Sequence, residues 1–200
     1  MLASCALARA QQATPSHNVA PPSKRYCQPA GRFCFQYPAA WSVLGEIFDG
    51  NGVVVAPPQK KPRELWDSIT VAGMDAPGSA DDHLLGLDQV VDRAAVAMRD
   101  AGEEYQTLQR QHRLVDSLPA QMLKARYREK GTEHDWIEQI VFIQGLENEI
   151  YSVSLKCAPQ NLAGLQPALS QILRTWKPAE TRSEESQGNA ARPQPPASPR

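Results

Sequence analysis

The chain has 200 residues, with 21 Lys+Arg against 22 Asp+Glu, a formal net charge of -1, 42% hydrophobic and 6% aromatic residues, 17 prolines and 4 cysteines. A balance this close to neutral excludes general electrostatic attraction for nucleic acid or anionic membranes, and no apolar run approaches the roughly 18 to 20 residues that cross a bilayer. Apolar residues recur periodically between residues 32 and 177, and about 150 ordered residues bury enough surface for one core without a metal or a disulfide.

Residues 1–10 (MLASCALARA) are small and apolar and end in Ala8-Arg9-Ala10, the small-x-small pattern that precedes signal-peptidase cleavage. With no basic segment and only a short apolar stretch, they read as a signal-peptide remnant. Leu2-Ala3-Ser4-Cys5 also resembles a bacterial lipobox, which makes Cys5 a lipidation candidate, although the residues after it stay apolar. An unprocessed cytoplasmic chain is the alternative. Residues 11–25 (QQATPSHNVAPPSKR) read as a flexible linker and residues 26–177 as the ordered domain. Residues 178–200 carry no large apolar side chain and are dense in Pro, Ser, Glu and Arg, so they cannot offset ordering entropy and read as a disordered tail.

The domain opens on Cys27 and Cys34, which flank a Pro-Ala-Gly turn centred between residues 30 and 31. Such a turn sets the two cysteines opposite each other across a hairpin, near the separation a disulfide requires. They are the disulfide candidate. Export to an oxidising compartment is the condition for the bond, and closing so short a loop would add on the order of 2.5 kcal/mol. Residues 32–37 (RFCFQY) alternate with Phe33 and Phe35 on one face until Pro38 ends the strand. Residues 41–48 and 52–56 (GVVVA) form a hairpin through Asp49-Gly50-Asn51-Gly52, residues that tolerate positive φ. Residues 57–63 (PPQKKPR) interrupt regular structure, and residues 68–72 resume as a strand with Ile69 and Val71 facing one way.

After Met74 the period shifts from two to about 3.6. Ser79 with Asp82 has capping-box spacing, and Leu84, Leu87, Val91, Ala94, Ala95 and Met98 make one helical stripe that ends before Gly102. Alternation then returns in four consecutive strands, residues 105–115, 121–128, 136–143 and 149–157. Leu123, Ala125 and Tyr127 share a face against Lys124, Arg126 and Arg128, and Tyr151, Val153 and Leu155 share one against Ser152, Ser154 and Lys156. Trp136-Ile137 and residues 140–143 are apolar on both sides, which predicts a central strand covered on both faces. Cys157 ends the last strand on its apolar face and reads as a buried core thiol. Leu162, Leu165, Leu169, Ile172, Leu173 and Trp176 complete the domain as a second amphipathic helix. The predicted class is α+β: a largely antiparallel sheet of about 6–8 strands packed with two main helices.

The segments GRFCFQYPAAW (Gly31 to Trp41) and LPAQMLKARYR (Leu118 to Arg128), the strand pair between them, the mid-chain helix and the closing Trp176-Lys177-Pro178 resemble the PsbP-like superfamily, which includes PsbP, Mog-type and DcrB-like bacterial envelope proteins. The resemblance spans residues 31–177. It implies an α/β/α sandwich and a role in binding another macromolecule, and it supplies no catalytic residues.

The residues themselves carry no recognised chemistry. His17, His83, His112 and His134 lack paired metal spacing, the cysteine spacing fits no zinc module, and no nucleophile elbow, phosphate loop, dinucleotide fingerprint or HExxH occurs. Asp81-Asp82-His83 reads as acidic groups at a helix start and Glu133-His134-Asp135 as a solvated turn. No catalytic, cofactor-binding or metal residue is therefore assigned, and no cofactor is expected. The expected function is a non-catalytic binding or accessory module, exported to the bacterial periplasm as a soluble or lipid-anchored protein and meeting an unknown protein partner in the cell envelope. No nucleic acid partner is expected, and membrane contact only through a lipid anchor. The partner-contact candidates are Lys60, Lys61 and Arg63 of the basic loop with Trp66, because loops on a rigid sheet commonly carry recognition. The alternatives are a cytoplasmic chaperone of a secreted effector and a hydrolase or metal-dependent enzyme assembled from distant residues.

Overall fold

The computed structural model describes residues 22–30, 32–58, 67–75, 85–145 and 149–178. The signal remnant with Cys5, linker residues 11–21, the contact candidates Lys60, Lys61, Arg63 and Trp66, the Ser79/Asp82 capping box, the Asp81-Asp82-His83 cluster and tail residues 179–200 lie outside them.

Strands β1 (Ser23–Cys27) and β2 (Phe33–Pro38) pair antiparallel with Cys27 opposite Cys34, and a two-residue strand, β10 (Lys177–Pro178), pairs with the other side of β2. Two boundaries shift here. Ser23, Lys24 and Arg25, read from sequence as linker, open β1, and Pro178, read as the start of the tail, pairs with Phe33. Both segments are polar or short, so their ordering comes from backbone pairing with β2 and leaves no apolar pattern in the sequence. The period-two pattern of β2 is visible in its burial, because Phe33, Phe35 and Tyr37 point into the core while Gln36 is exposed.

The larger sheet holds β3 (Ser42–Ile47), β4 (Gly52–Ala56), β5 (Ser68–Asp75), β6 (Gly102–Val115), β7 (Leu118–Glu129), β8 (Asp135–Gln144) and β9 (Glu149–Cys157), in the order β3-β4-β5-β9-β8-β7-β6. All its pairings are antiparallel. Between β5 and β6 the chain crosses the sheet through helix α1 (Leu87–Ala101), so that the β6–β9 meander starts at the far edge and runs back to β5. A turn of 3-10 helix (Pro159–Asn161) leads into α2 (Leu162–Thr175).

The pleat of β7, β8 and β9 sends alternate residues into two cores. Ala120, Met122, Ile137, Val141, Ile143, Tyr151, Val153 and Leu155 pack with α2 and the small sheet, around a fully buried Trp176. Leu123, Ala125, Tyr127, Trp136, Phe142 and Ile150 pack against Val90, Val91 and Met98 of α1. β8 thus contributes to both cores, as its two-sided apolar sequence requires. On α2, Leu165, Leu169, Ile172 and Leu173 are buried at helical spacing, worth about 1.5–3 kcal/mol each for removal from water.

Helix α1 begins at Gly86, whose N–H donates to the Gln89 side chain at 3.1 Å. It ends directly on β6 at Gly102, where a Cβ would lie 2.7 Å from Cδ2 of Tyr127. Only glycine lets the helix-to-strand joint approach that ring. The start of α1 is fixed by Asp88, which accepts from the buried Gln121 of β7 at 2.9 Å and from Arg110 of β6 at 3.1 Å.

Candidate functional site

The strand registers bring several connections to one end of the large sheet. Val55 pairs with Ile69, Ser68 with Lys156, Ile137 with Cys157, and Tyr127 with Trp136. The connection between Pro58 and Asp67, the β7–β8 turn and the approach to α2 therefore leave the sheet at the same end. A cleft of about 670 Å³ opens there, lined by Asp67, Arg126, Glu133, His134, Asp135 and Trp136 and by residues 158–161. Asp67, the residue that directly follows Trp66, stands on its wall.

Asp135 and Asp67 of this cleft are each held by neighbouring donors. Arg126 donates to Asp135 Oδ2 at 2.5 Å and Arg128 donates to Oδ1 at 3.3 Å, while Arg128 also bonds Glu104 at 2.8 Å. The hydrogen bond from Arg126, then its charge and the contribution of Arg128, keep the Asp135 carboxyl below the usual carboxylate range. Asp67 accepts the Ala158 N–H at 2.9 Å and the Asn161 side-chain amide at 2.7 Å, which ties the start of β5 to the approach to α2. Trp136 is buried, donates to Glu129 at 3.3 Å and carries the Lys156 ammonium 4.7 Å from its ring centre.

The triplet Glu133-His134-Asp135 does not act as one cluster. Asp135 opens β8 inside the arginine clasp, whereas Glu133 and His134 are exposed on the turn. Among the described residues no group of three or more His, Cys, Asp or Glu side chains is arranged to hold a metal ion. Cys157 is fully buried, and burial, reinforced by the charge of Asp67, pushes its thiol up to about 11, so it is protonated near neutral pH and packs as a core residue. The cleft is a polar concavity with Trp136 buried in its wall. Arg126 and Arg128 were legible as a polar strand face, but Asp67 and Asn161 gave no signal, because their pairing spans 94 residues.

The opposite end of the sheet carries the second feature drawn from the sequence. Cys27 and Cys34 form a disulfide, with Cα atoms 4.1 Å apart. The turn they close is also held by Gln28, buried beneath it, whose side chain accepts the Arg32 N–H at 3.0 Å and donates to the Gly50 carbonyl. Nearby, Arg32 reaches Asn51 at 3.3 Å and Glu149 at 3.5 Å. The β3–β4 turn passes through positive φ at Phe48 and Asp49, and Phe48 is 64% exposed. With Val43 and Leu44 on the free edge of β3, that ring forms an exposed apolar margin. Among the described residues, no helix is long and apolar enough to cross a membrane.

No protein-family model matches the sequence, and no curated protein matches it. Solved structures do match in fold. The solution structure of cyanobacterial PsbP (CyanoP) from Synechocystis sp. PCC 6803 aligns over 84% of this chain and 98% of its own, with a TM-score of 0.54 and 14% identity. PA94, a protein of unknown function from Pseudomonas aeruginosa, aligns over 80% and 99%, with a TM-score of 0.53 and 18% identity. LpqN of Mycobacterium tuberculosis, involved in cell envelope biogenesis, aligns over 81% and 88%, with a TM-score of 0.55 and 11% identity. The fold is PsbP-like.

Proposed function

We propose that this protein is a non-catalytic binding or accessory module, exported to the bacterial cell envelope, that works by contact with another protein. The observation that carries this is the fold, which extends over four-fifths of the chain and is the fold of LpqN, a protein of cell envelope biogenesis. Two features support it. The Cys27–Cys34 disulfide is a linkage that persists in oxidising compartments, and the large cleft is a polar concavity at the end of the sheet where the loop with the contact candidates leaves it. The partner meets the end of the sheet that carries this cleft, through Lys60, Lys61, Arg63 and Trp66.

The test is to express the full chain with its genomic upstream sequence in its native cell and to cross-link the envelope fraction. Wild type is compared with the triple variant Lys60→Glu, Lys61→Glu, Arg63→Glu. The expected result is an envelope-located protein with one disulfide, a discrete cross-linked partner, and loss of that partner in the variant. Diacylglyceryl on Cys5 would assign membrane tethering within the same function. A cytoplasmic protein with all thiols reduced, or cross-links unchanged by charge reversal, would overturn it.

A further inference from the structure

A second concavity, of about 410 Å³, lies beside α2 at the disulfide end of the sheet. Its floor is mixed: buried Val115, Leu169 and Leu173 are joined by Ser170 and the Gln166 side chain, which donates to Gln139 at 2.9 Å, and its rim carries Arg113 of β6 and Arg174 from the last turn of α2. Both arginines are exposed, and neither has an ion-pair or hydrogen-bond partner among the described residues. The nearest fixed carboxylate, Asp116, is held by Lys177. The cleft therefore presents two solvent-exposed guanidinium groups, free of ion-pair partners among the described residues, on the rim of a concavity that also offers amide and hydroxyl groups, an arrangement that attracts an anionic, extended segment.

The same lysine says what is at hand to fill it. Lys177 and Pro178 are anchored to β2, and the Lys177 side chain reaches the Asp116 wall of the cleft, so the chain beyond Pro178 departs from the rim. That departing stretch reads Ala179-Glu180-Thr181-Arg182-Ser183-Glu184-Glu185, with three carboxylates against one guanidinium. A chain extends at most about 3.3–3.6 Å per residue, so Glu180 is within roughly 7 Å of Pro178, and Glu184 and Glu185 within about 20–25 Å. A tether this short keeps the local concentration of acidic groups in the millimolar range.

We propose that the cleft between β6 and α2 is a binding site for an acidic peptide segment, and that in the full chain its occupant is the protein's own residues 180–185. Carboxylates of Glu180, Glu184 and Glu185 pair with Arg113 and Arg174, and an acidic segment of another protein must compete with them for the site. The segment docks here by charge, which makes the contact sensitive to salt. This site lies at the opposite end of the sheet from the loop assigned to the partner, and it does not depend on where the protein resides.

The test uses the full chain, labelled with nitrogen-15, and reads the backbone amides of residues 113–116 and 170–174 by NMR. In the variant Glu180→Gln, Glu184→Gln, Glu185→Gln these amides should shift, and 0.5 M NaCl should move the wild-type signals the same way. In an Arg113→Gln, Arg174→Gln background the glutamate changes should add nothing. A synthetic peptide AETRSEES should bind the glutamine variant at least about tenfold more tightly than it binds wild type, because it meets no tethered competitor there. Amides unmoved by the glutamate changes, or moved equally with and without the arginines, would overturn the site. Equal peptide affinity for wild type and variant would show an empty cleft that serves a foreign acidic segment, and would overturn the choice of occupant.

Discussion

Replacing both Cys27 and Cys34 with alanine removes a cross-link between residues 7 apart in sequence, which closes a loop of eight residues counting both ends. In the chain-entropy model that closure is worth about 2.5 kcal/mol through the unfolded state. Little native-state rearrangement offsets it, because Gln28 holds the turn independently through Arg32 and Gly50, and the Gln28 N–H bonds the Phe33 carbonyl at 3.0 Å. For an ordered domain of about 150 residues a loss of that size lowers Tm by roughly 5–10 °C. Guanidinium unfolding of the oxidised protein, the same protein under reductant and the double-alanine variant provides the assay. The last two should coincide, with their midpoints below the first and m little changed, because the freed loop is short. The full chain denatured without reductant should titrate two thiols, Cys5 and Cys157. A stability loss under about 0.5 kcal/mol, or four titratable thiols, would refute the reasoning.

Other expected outcomes follow from single contacts. Gly102→Ala forces Tyr127 to move, since a Cβ there lies 2.7 Å from the ring; it should cost about 1–3 kcal/mol in denaturant unfolding, and an unchanged midpoint would contradict the close approach. Trp176→Ala empties a fully buried site that packs edge-on against Tyr151 and should cost about 3–5 kcal/mol, read in the same way. Cys157, with its thiol pushed up to about 11, is only about one part in a thousand ionised at pH 8, so an aromatic disulfide reagent should modify it no faster than the protein unfolds. A burst at the rate of a free thiol would show otherwise.

The acid limb tests the arginine clasp. The Asp135 carboxyl is held below its unfolded range, so its contribution is complete above the unfolded pKa of about 3.9 and is lost as pH falls through the lower folded value. Asp135→Asn lacks that contribution at every pH. Its urea midpoint should lie below wild type at pH 6, and the gap should close toward pH 2. A gap independent of pH would mean that the effect is packing and not charge.

What the sequence disclosed tracks what each residue buries. The alternation of Leu123, Ala125 and Tyr127 against Lys124, Arg126 and Arg128, and the two-sided apolar run of β8, located the meander and its central strand because burial writes itself into period two. The adjacency of β5 to β9 had no such trace. It follows from α1 carrying the chain to the far edge, a topological choice that leaves every local pattern unchanged. The three polar residues that open β1 were silent for a related reason, since they gain backbone bonds to β2 without hiding side chains.

The sites divide along the same line. Opposed cysteines across a short turn can be read directly, because turn geometry fixes their separation. The large cleft could not, since Asp67 meets Asn161 and Arg126 meets Asp135 only after the sheet has set its register. Those pairings also fix charged side chains of the cleft in place. Asp135, fixed by two guanidinium groups, has a lowered proton affinity, and Asp67 is tied in place by the Ala158 N–H and the Asn161 amide. Among the described residues Arg113 and Arg174 differ from that set in having no such partner, so a docked carboxylate can pair with them without displacing a contact already made.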